Sequence, residues 1–298
     1  MFFIKIYHFT YILSSFILFL KQAGISEQTL PKGGFTMVYL VFFLVSFLAS
    51  MAGAICGMGG GVIMKPALDT LGILSVPAIC FLSGCTVLAM SASNLIKGRI
   101  CGLSKVKMNA VFPLAAGASF GGIYGKILFN MILARCKDPD RAGALQAGIL
   151  AVSCLGILIY TFNKTKIHTH RISDIPFCIL IGLLLGFISS FLGIGGGPIN
   201  LIVLSFFFSM NTGEAARNSI FIIFFSQAAN LLYTLLSGTV PSVSPLFLPV
   251  MICAGTAGGT AGSMISSRIS EKAVDRLFAG LIIVIIIMDL YNIIKFIF

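Results

Sequence analysis

Apolar residues are gathered into long runs separated by short polar segments, at about 2–20, 37–56, 62–74, 76–96, 109–133, 142–162, 175–192, 198–210, 215–236, 244–266 and 276–297. The runs are continuous. A transmembrane barrel would instead alternate apolar and polar positions in segments of ~10 residues. The pattern therefore predicts helices, most of them near the ~20 residues needed to cross a bilayer. Two runs, 62–74 and 198–210, are too short to cross unaided, and each directly follows a glycine cluster. Segments 37–74 and 175–210 thus each read as a helix, a break and a half helix.

The clusters are copies. Gly57-Met58-Gly59-Gly60-Gly61 returns as Gly193-Ile194-Gly195-Gly196-Gly197, 136 residues later (193 − 57). The same offset places Ser83 on Ser219, Ser91 on Gln227, Asn94 on Asn230 and Pro113 on Pro249. Gly121-Gly122-x-x-Gly125 matches Gly258-Gly259-x-x-Gly262 after a one-residue shift, and Asp140-Arg141 matches Asp275-Arg276. The chain divides into an extra N-terminal transmembrane helix and loop (1–36), a first transmembrane repeat (37–162), a linker (163–174) and a second repeat (175–298). Residues 2–20, with Lys5 near their start and Lys21 just after, fit a retained helix better than a cleaved signal peptide, since no convincing small-residue cleavage site follows.

Composition sharpens this picture. Only 10% of residues are charged and 58% are hydrophobic, with mean hydropathy +1.05; soluble domains carry about 25% charged residues. The net charge of +11 does not point to nucleic acid, because the basic residues sit in short loops between apolar runs and no soluble basic domain holds them. Loop 97–108 holds Lys97, Arg99, Lys105 and Lys107; loop 163–174 holds Lys164, Lys166 and Arg171; loop 267–275 holds Arg268 and Lys272. The positive-inside rule makes all three cytoplasmic, and the uncharged loop 237–243 external. These placements agree only if each broken segment begins and ends on one side of the membrane. The expected fold is an all-α polytopic bundle of two inverted repeats, each with a Gly-broken, re-entrant-like helix, N-terminus cytoplasmic and C-terminus outside. Loop 134–141 strains this topology, since it is placed outside despite Arg135, Lys137 and Arg141.

Paired helix breaks in matching positions point to a transporter's substrate site. A glycine break at membrane depth leaves backbone N–H groups that must face protein or a watery cavity. Where a half helix starts, those groups and the helix dipole attract anions. The candidate binding residues are Gly57, Gly59, Gly60, Gly61, Gly193, Gly195, Gly196 and Gly197, with Pro198 suited to a first helical turn. Close helix packing is the other use of such glycines. Lys65 adds a point charge for an anion, snorkels to an interface, or pairs with Asp69 one turn on. Ser91 and Asn94, like Gln227 and Asn230, are three residues apart and share a helix face; they either line a path or bond between helices. Arg217 serves as an anion funnel or as a positive-inside anchor. Gly117-x-x-x-Gly121-x-x-x-Gly125 and Gly258-x-x-x-Gly262 are small-residue packing motifs.

Several chemistries lack support. The eight cysteines form no C-x-x-C and have no histidine at zinc-like spacing, so they read as packing, with no metal and no disulfide framework. Most of the nine acids belong to loops. No histidine–carboxylate cluster is expected at depth for acid–base catalysis, and no Walker A motif provides for ATP. Catalytic residues, metals and cofactors are not expected, and the chain does not read as an enzyme. Proton coupling through a buried carboxylate has only Asp69 as a candidate.

The segments Gly57-Met-Gly-Gly-Gly-Val-Ile-Met-Lys-Pro66 and Phe191-Leu-Gly-Ile-Gly-Gly-Gly-Pro198 resemble the duplicated signature of the TauE/SafE family of sulfite-exporter-like permeases, and the similarity runs from Met37 to Phe298. The resemblance implies transport of small sulfur-containing or organic anions, such as sulfite or sulfoacetate, across a bacterial inner membrane. It implies roles for the two glycine clusters and, more cautiously, for Asn94 and Asn230. Two departures stand out: the extra helix at 2–20, and Pro198 directly after the second cluster with no proline at 202 to match Pro66. The expected function is a secondary anion transporter working by alternating access, with a passive anion channel as the alternative. Its expected partners are a small anionic substrate and the lipid bilayer, with a homo-oligomer left open.

Overall fold

The computed structural model describes residues 34–100, 108–136, 139–164, 169, 172 and 174–297. The N-terminal apolar run, most of loop 97–108 and most of the linker lie outside the described residues. Ten helices account for nearly everything else: α1 (Gly34–Cys56), α2 (Gly61–Leu71), α3 (Val76–Ile100), α4 (Met108–Arg135), α5 (Pro139–Asn163), α6 (Ile175–Phe191), α7 (Pro198–Phe208), α8 (Thr212–Leu236), α9 (Phe247–Ser266) and α10 (Glu271–Ile297). There is no strand among the described residues. Seven helices are long and apolar enough to cross a membrane: α1, α3, α4, α5, α8, α9 and α10.

Local chemistry explains the element ends. Helix α2 stops at Gly72, whose φ of +67° is a left-handed cap that returns its N–H to Leu68 O. Helix α8 starts at the Asn211 cap, whose side chain accepts from the Glu214 N–H at 2.8 Å. Pro198 occupies the first turn of α7, as its missing N–H suggests. The half helices α2 and α7 have 11 residues each. At ~1.5 Å per residue they reach about halfway across a ~30 Å hydrocarbon core.

The helices that pack most closely are α4 with α6, and α1 with α9. Both pairs use small residues at successive turns. A Cβ on Gly117, Gly121 or Gly125 would stand 2.2, 1.9 or 2.2 Å from the carbonyl oxygens of Ile179, Leu183 and Phe187. On α9, Gly258 and Gly262 meet Phe47 O and Met51 O at 2.2 and 2.3 Å in the same sense, and Ser266 Oγ donates to Ile55 O at 2.9 Å. This is small-residue packing, in which backbones approach because no side chain intervenes. In each pair the contact advances in the same direction along both chains, so α4 runs parallel to α6 and α1 parallel to α9.

Much of the helix packing follows the offset read in the sequence, although α1 packs on α2 without an equally close α6–α7 contact. The second repeat supplies α6–α10 as counterparts of α1–α5. Exchanging counterparts turns the α4–α6 contact into α9–α1, α4–α8 into α9–α3, α2–α3 into α7–α8, and α2–α10 into α7–α5; α3–α8 and α5–α10 map onto themselves. Thr86 and Met90 of α3 meet Gly255 and Gly259 in that order, so α3 runs with α9 and α1. Helix α3 runs against α8: Gly84 faces Gln227, while Asn94 and Ala216 line one cleft. The halves are interlocked, the fourth helix of each lying along the first helix of the other.

Candidate functional site

The two glycine breaks meet at the middle of the bundle. In the first, α1 ends at Cys56 and the chain turns back so that Gly59 and Gly60 lie against Gly53 and Ser50. In the second, Gly193 N donates to Ser190 O and Ile194 N to Ser189 O before α7 begins. The first glycines of the two clusters have matching neighbours. A Cβ on Gly57 would lie 2.2 Å from Ala216 Cβ, and one on Gly193 would lie 2.4 Å from Cys80 Sγ; Cys80 and Ala216 are themselves 136 residues apart. Both glycines also hold left-handed φ, +75° and +67°, so any side chain is strained there as well as crowded.

The start of α2 faces the other break directly, since a Cβ on Gly61 would stand 2.2 Å from Ile194 O. Gly60 and Gly197, the N-caps of α2 and α7, are buried and, as glycines, have no side chain with which to cap the first N–H groups. Two positive helix ends are thus brought together without a capping acid. Gly59 and Gly195 both pack on Val87, Gly59 and Gly196 both pack on Ile223, and those two side chains are fully buried counterparts. They form an apolar barrier where the breaks converge.

A cavity lies on each side of this barrier. One is a cleft of about 450 Å³ whose lining includes Asn94, Lys97, Arg217, Arg268 and Glu271. The other is a remnant of about 30 Å³ whose lining includes Gly84, Lys126, Ser190, Gln227 and Asn230. The walls correspond through the repeat: Asn94 matches Asn230, Ala54 matches Ser190, Ile220 matches Gly84, Arg217 matches Phe81, and Ser263 matches Lys126. The matched walls therefore enclose unequal spaces; a separate cavity of about 420 Å³, lined by Leu74, Ser75, Ala78 and Ser242 to Ser244, opens near the start of α3.

The polar residues divide accordingly. Both amide atoms of Asn94 are buried without a hydrogen-bond partner at the inner wall of the wide cleft. Asn230 donates to Ser190 Oγ, and its own oxygen has no partner. Gln227 lies against Gly195 and Gly84, within the collapsed side. Ser91 donates to Leu88 O within its own helix and lines neither cavity. Lys65 is buried in α2, where its ammonium donates to Asp69 Oδ2 at 2.7 Å. It too lines neither cavity, although its Cε lies beside Gly193. The glycine repeats in α4 and α9 pack as expected of such motifs, and the described cysteines are free.

Two features escape the sequence reading. Lys126 and Arg268 reach cavity walls; Lys126 lies within the apolar run 109–133, a signal the sequence reading passed over, whereas Arg268 in its loop gives no sign of which wall it joins. Asp289 lies inside α10, 1% exposed, with Oδ2 unpartnered. The assignment of acids mainly to loops passed over it, although one acid within the apolar run 276–297 is itself a signal. Two carboxylates, Asp69 and Asp289, are therefore buried at depth, which corrects the expectation that only Asp69 was available.

Seven helices among the described residues are long and apolar enough to cross a membrane, so the chain is a multi-pass membrane protein, and its family makes it a membrane transporter. The chain belongs to the sulfite exporter TauE/SafE family, whose model matches residues 42–288. No protein of curated function and no solved structure matches the chain.

Proposed function

We propose that the protein is a secondary transporter of small anions, sulfur-containing or organic, such as sulfite or sulfoacetate, and that it works by alternating access. The observation that carries this reading is the unequal pair of equivalent cavities, about 450 Å³ and about 30 Å³, on opposite sides of the Val87–Ile223 barrier. A repeat whose two halves exchanged conformations would close the first and open the second. Opposite running directions of α3 and α8 support inverted repeats. Lys97, Arg217 and Arg268 at the wide cleft outnumber Glu271, which favours an anion. The positive-inside rule makes that mouth cytoplasmic. It also sets the topology proposed here, with the protein multi-pass in a bacterial inner membrane, N-terminus cytoplasmic and C-terminus outside. The glycine breaks, Asn94 and Asn230 are the proposed substrate contacts, with Gln227 beside them. Lys65 acts on the site through Gly193, and Ser91 enters only if α3 moves.

The test is uptake of radiolabelled sulfite into proteoliposomes of the purified protein, with sulfate, sulfoacetate and lactate as competitors. Saturable, competable uptake with trans-stimulated counterflow is the expected result. Non-saturating flux with measurable single-channel current would make the protein a passive anion channel instead. Absence of uptake by folded protein would move the substrate away from sulfur oxyanions.

A further inference from the structure

We propose that Asp289 is a proton-binding site that couples anion movement to a proton gradient; the coupling rests on the transporter reading above, the protonation does not. Asp289 is buried in α10, two turns from its end, with Oδ2 unpartnered. The ionic groups that act on it are Lys65 and Asp69 of α2. These two already neutralise each other at 2.7 Å, and Asp69 Oδ1 is buried without a partner as well. Lys65, Asp69 and Asp289 together carry one net negative charge when Asp289 is ionised and none when it holds a proton, before Lys295, which acts on Asp69, is counted. An unpaired charge out of water is costly, and binding a proton removes it.

One further cation stands at the Asp69 end of the cluster. Lys295, nearly two turns further along α10, acts on Asp69 and donates to the carbonyls of Asp69 and Thr70 at the end of α2. Asn292 donates to Pro66 O and accepts from Thr70. Helix α5 presents the thiol of Cys154 towards Asp289, and its Asp140 acts on Asp69. Cys80 of α3 acts on Lys65. Helix α1 has no ionic side chain in its described length, and Glu214 and Arg217 of α8 stand in its first turns, at the Glu271 end of α10.

The cluster is also one-sided. The repeat matches Lys65 with Leu201, Asp69 with Ser205, and Asp289 with Cys154. Two equivalent cavities give two equivalent end states. A ligand biases such an equilibrium only by binding one state better than the other. A charged site present in a single half distinguishes the states. Helix α2 links it to the machinery, since its first residue is Gly61 of the first break and Lys65 lies beside Gly193 of the second.

The experiment uses full-length protein in proteoliposomes with radiolabelled sulfoacetate, the membrane potential clamped by valinomycin and equal potassium, and a pH gradient of either sign. The readout is the ratio of initial rates with and without the gradient. It should depart from one in the wild type, return to one in Asp289→Asn, and depart again in Asp289→Glu. A wild-type ratio of one, a gradient effect surviving in Asp289→Asn, or stimulation by sodium in place of protons would overturn the proposal. A second measurement needs no substrate: infrared titration of the protein in bilayers should show a protonated-carboxyl band that Asp289→Asn removes. If the wild type moves no sulfoacetate, the transport reading fails while this band still decides the protonation; an unchanged band overturns the proposal.

Discussion

At the scale of single residues, the glycines differ sharply in what they tolerate. Gly61 abuts Ile194 O at a distance no Cβ can occupy, whereas Gly148 and Gly156 of α5 face open space. Gly61→Ala should therefore abolish sulfite flux. Gly148→Ala should leave flux intact and hold or raise thermal stability, since alanine is the better helix former by up to ~1 kcal/mol. Flux assays with thermal unfolding in detergent check both. Lys65 gives a second prediction. Breaking a buried ion pair typically costs ~3–5 kcal/mol, while replacing both partners by packed neutral residues is often neutral. Lys65→Leu should destabilise the protein by about that amount. The double variant Lys65→Leu/Asp69→Ser, which installs the residues the second half holds at 201 and 205, should recover most of the loss. A double variant no more stable than the single one would argue against the pairing. Sequence spacing offered the Lys65–Asp69 pair as one of three readings; only burial of both residues in α2 distinguished pairing from contact with a cavity.

At the scale of elements, helices α4 and α9 do the same job in the two halves. Gly121 and Gly258 stand 1.9 and 2.2 Å from a partner carbonyl at the position a Cβ would take. Gly121→Val or Gly258→Val should separate α4 from α6, or α9 from α1, and lower the yield of folded protein measured by size exclusion. In contrast, Gly60→Leu and Gly196→Leu act on the breaks, with neighbours Ser50 and Ile223. They should eliminate transport while leaving some folded protein, and normal flux in both would remove the breaks from the mechanism. The small-residue spacing and the two half helices were legible in the sequence because each follows from local periodicity. Which helix each glycine face meets was not, since the partner of α4 lies beyond α5 in the chain and in the other repeat.

At the scale of the whole molecule, unequal cavities predict unequal accessibility. In a cysteine-free background, Asn94→Cys should react quickly with a polar maleimide reaching the cytoplasmic face, and Asn230→Cys slowly from outside. A substrate that favours the opposite state should reverse the order. Equal rates at both positions under all conditions would argue against alternating access. Thr239→Cys should be labelled from outside and Ser104→Cys should not, and the converse would invert the proposed topology.

The sequence by itself determined the helical class, the duplication, the two breaks and the family, because hydropathy, glycine placement and internal offset are properties of the chain read in order. Tertiary structure decided three things. It brought the two breaks together, made one of two equivalent cavities wide and the other closed, and placed Asp289 beside Lys65 and Asp69. Each of these depends on contacts between segments more than 100 residues apart. Local pattern carries no record of such contacts, and a symmetric pair of motifs cannot say which side is open.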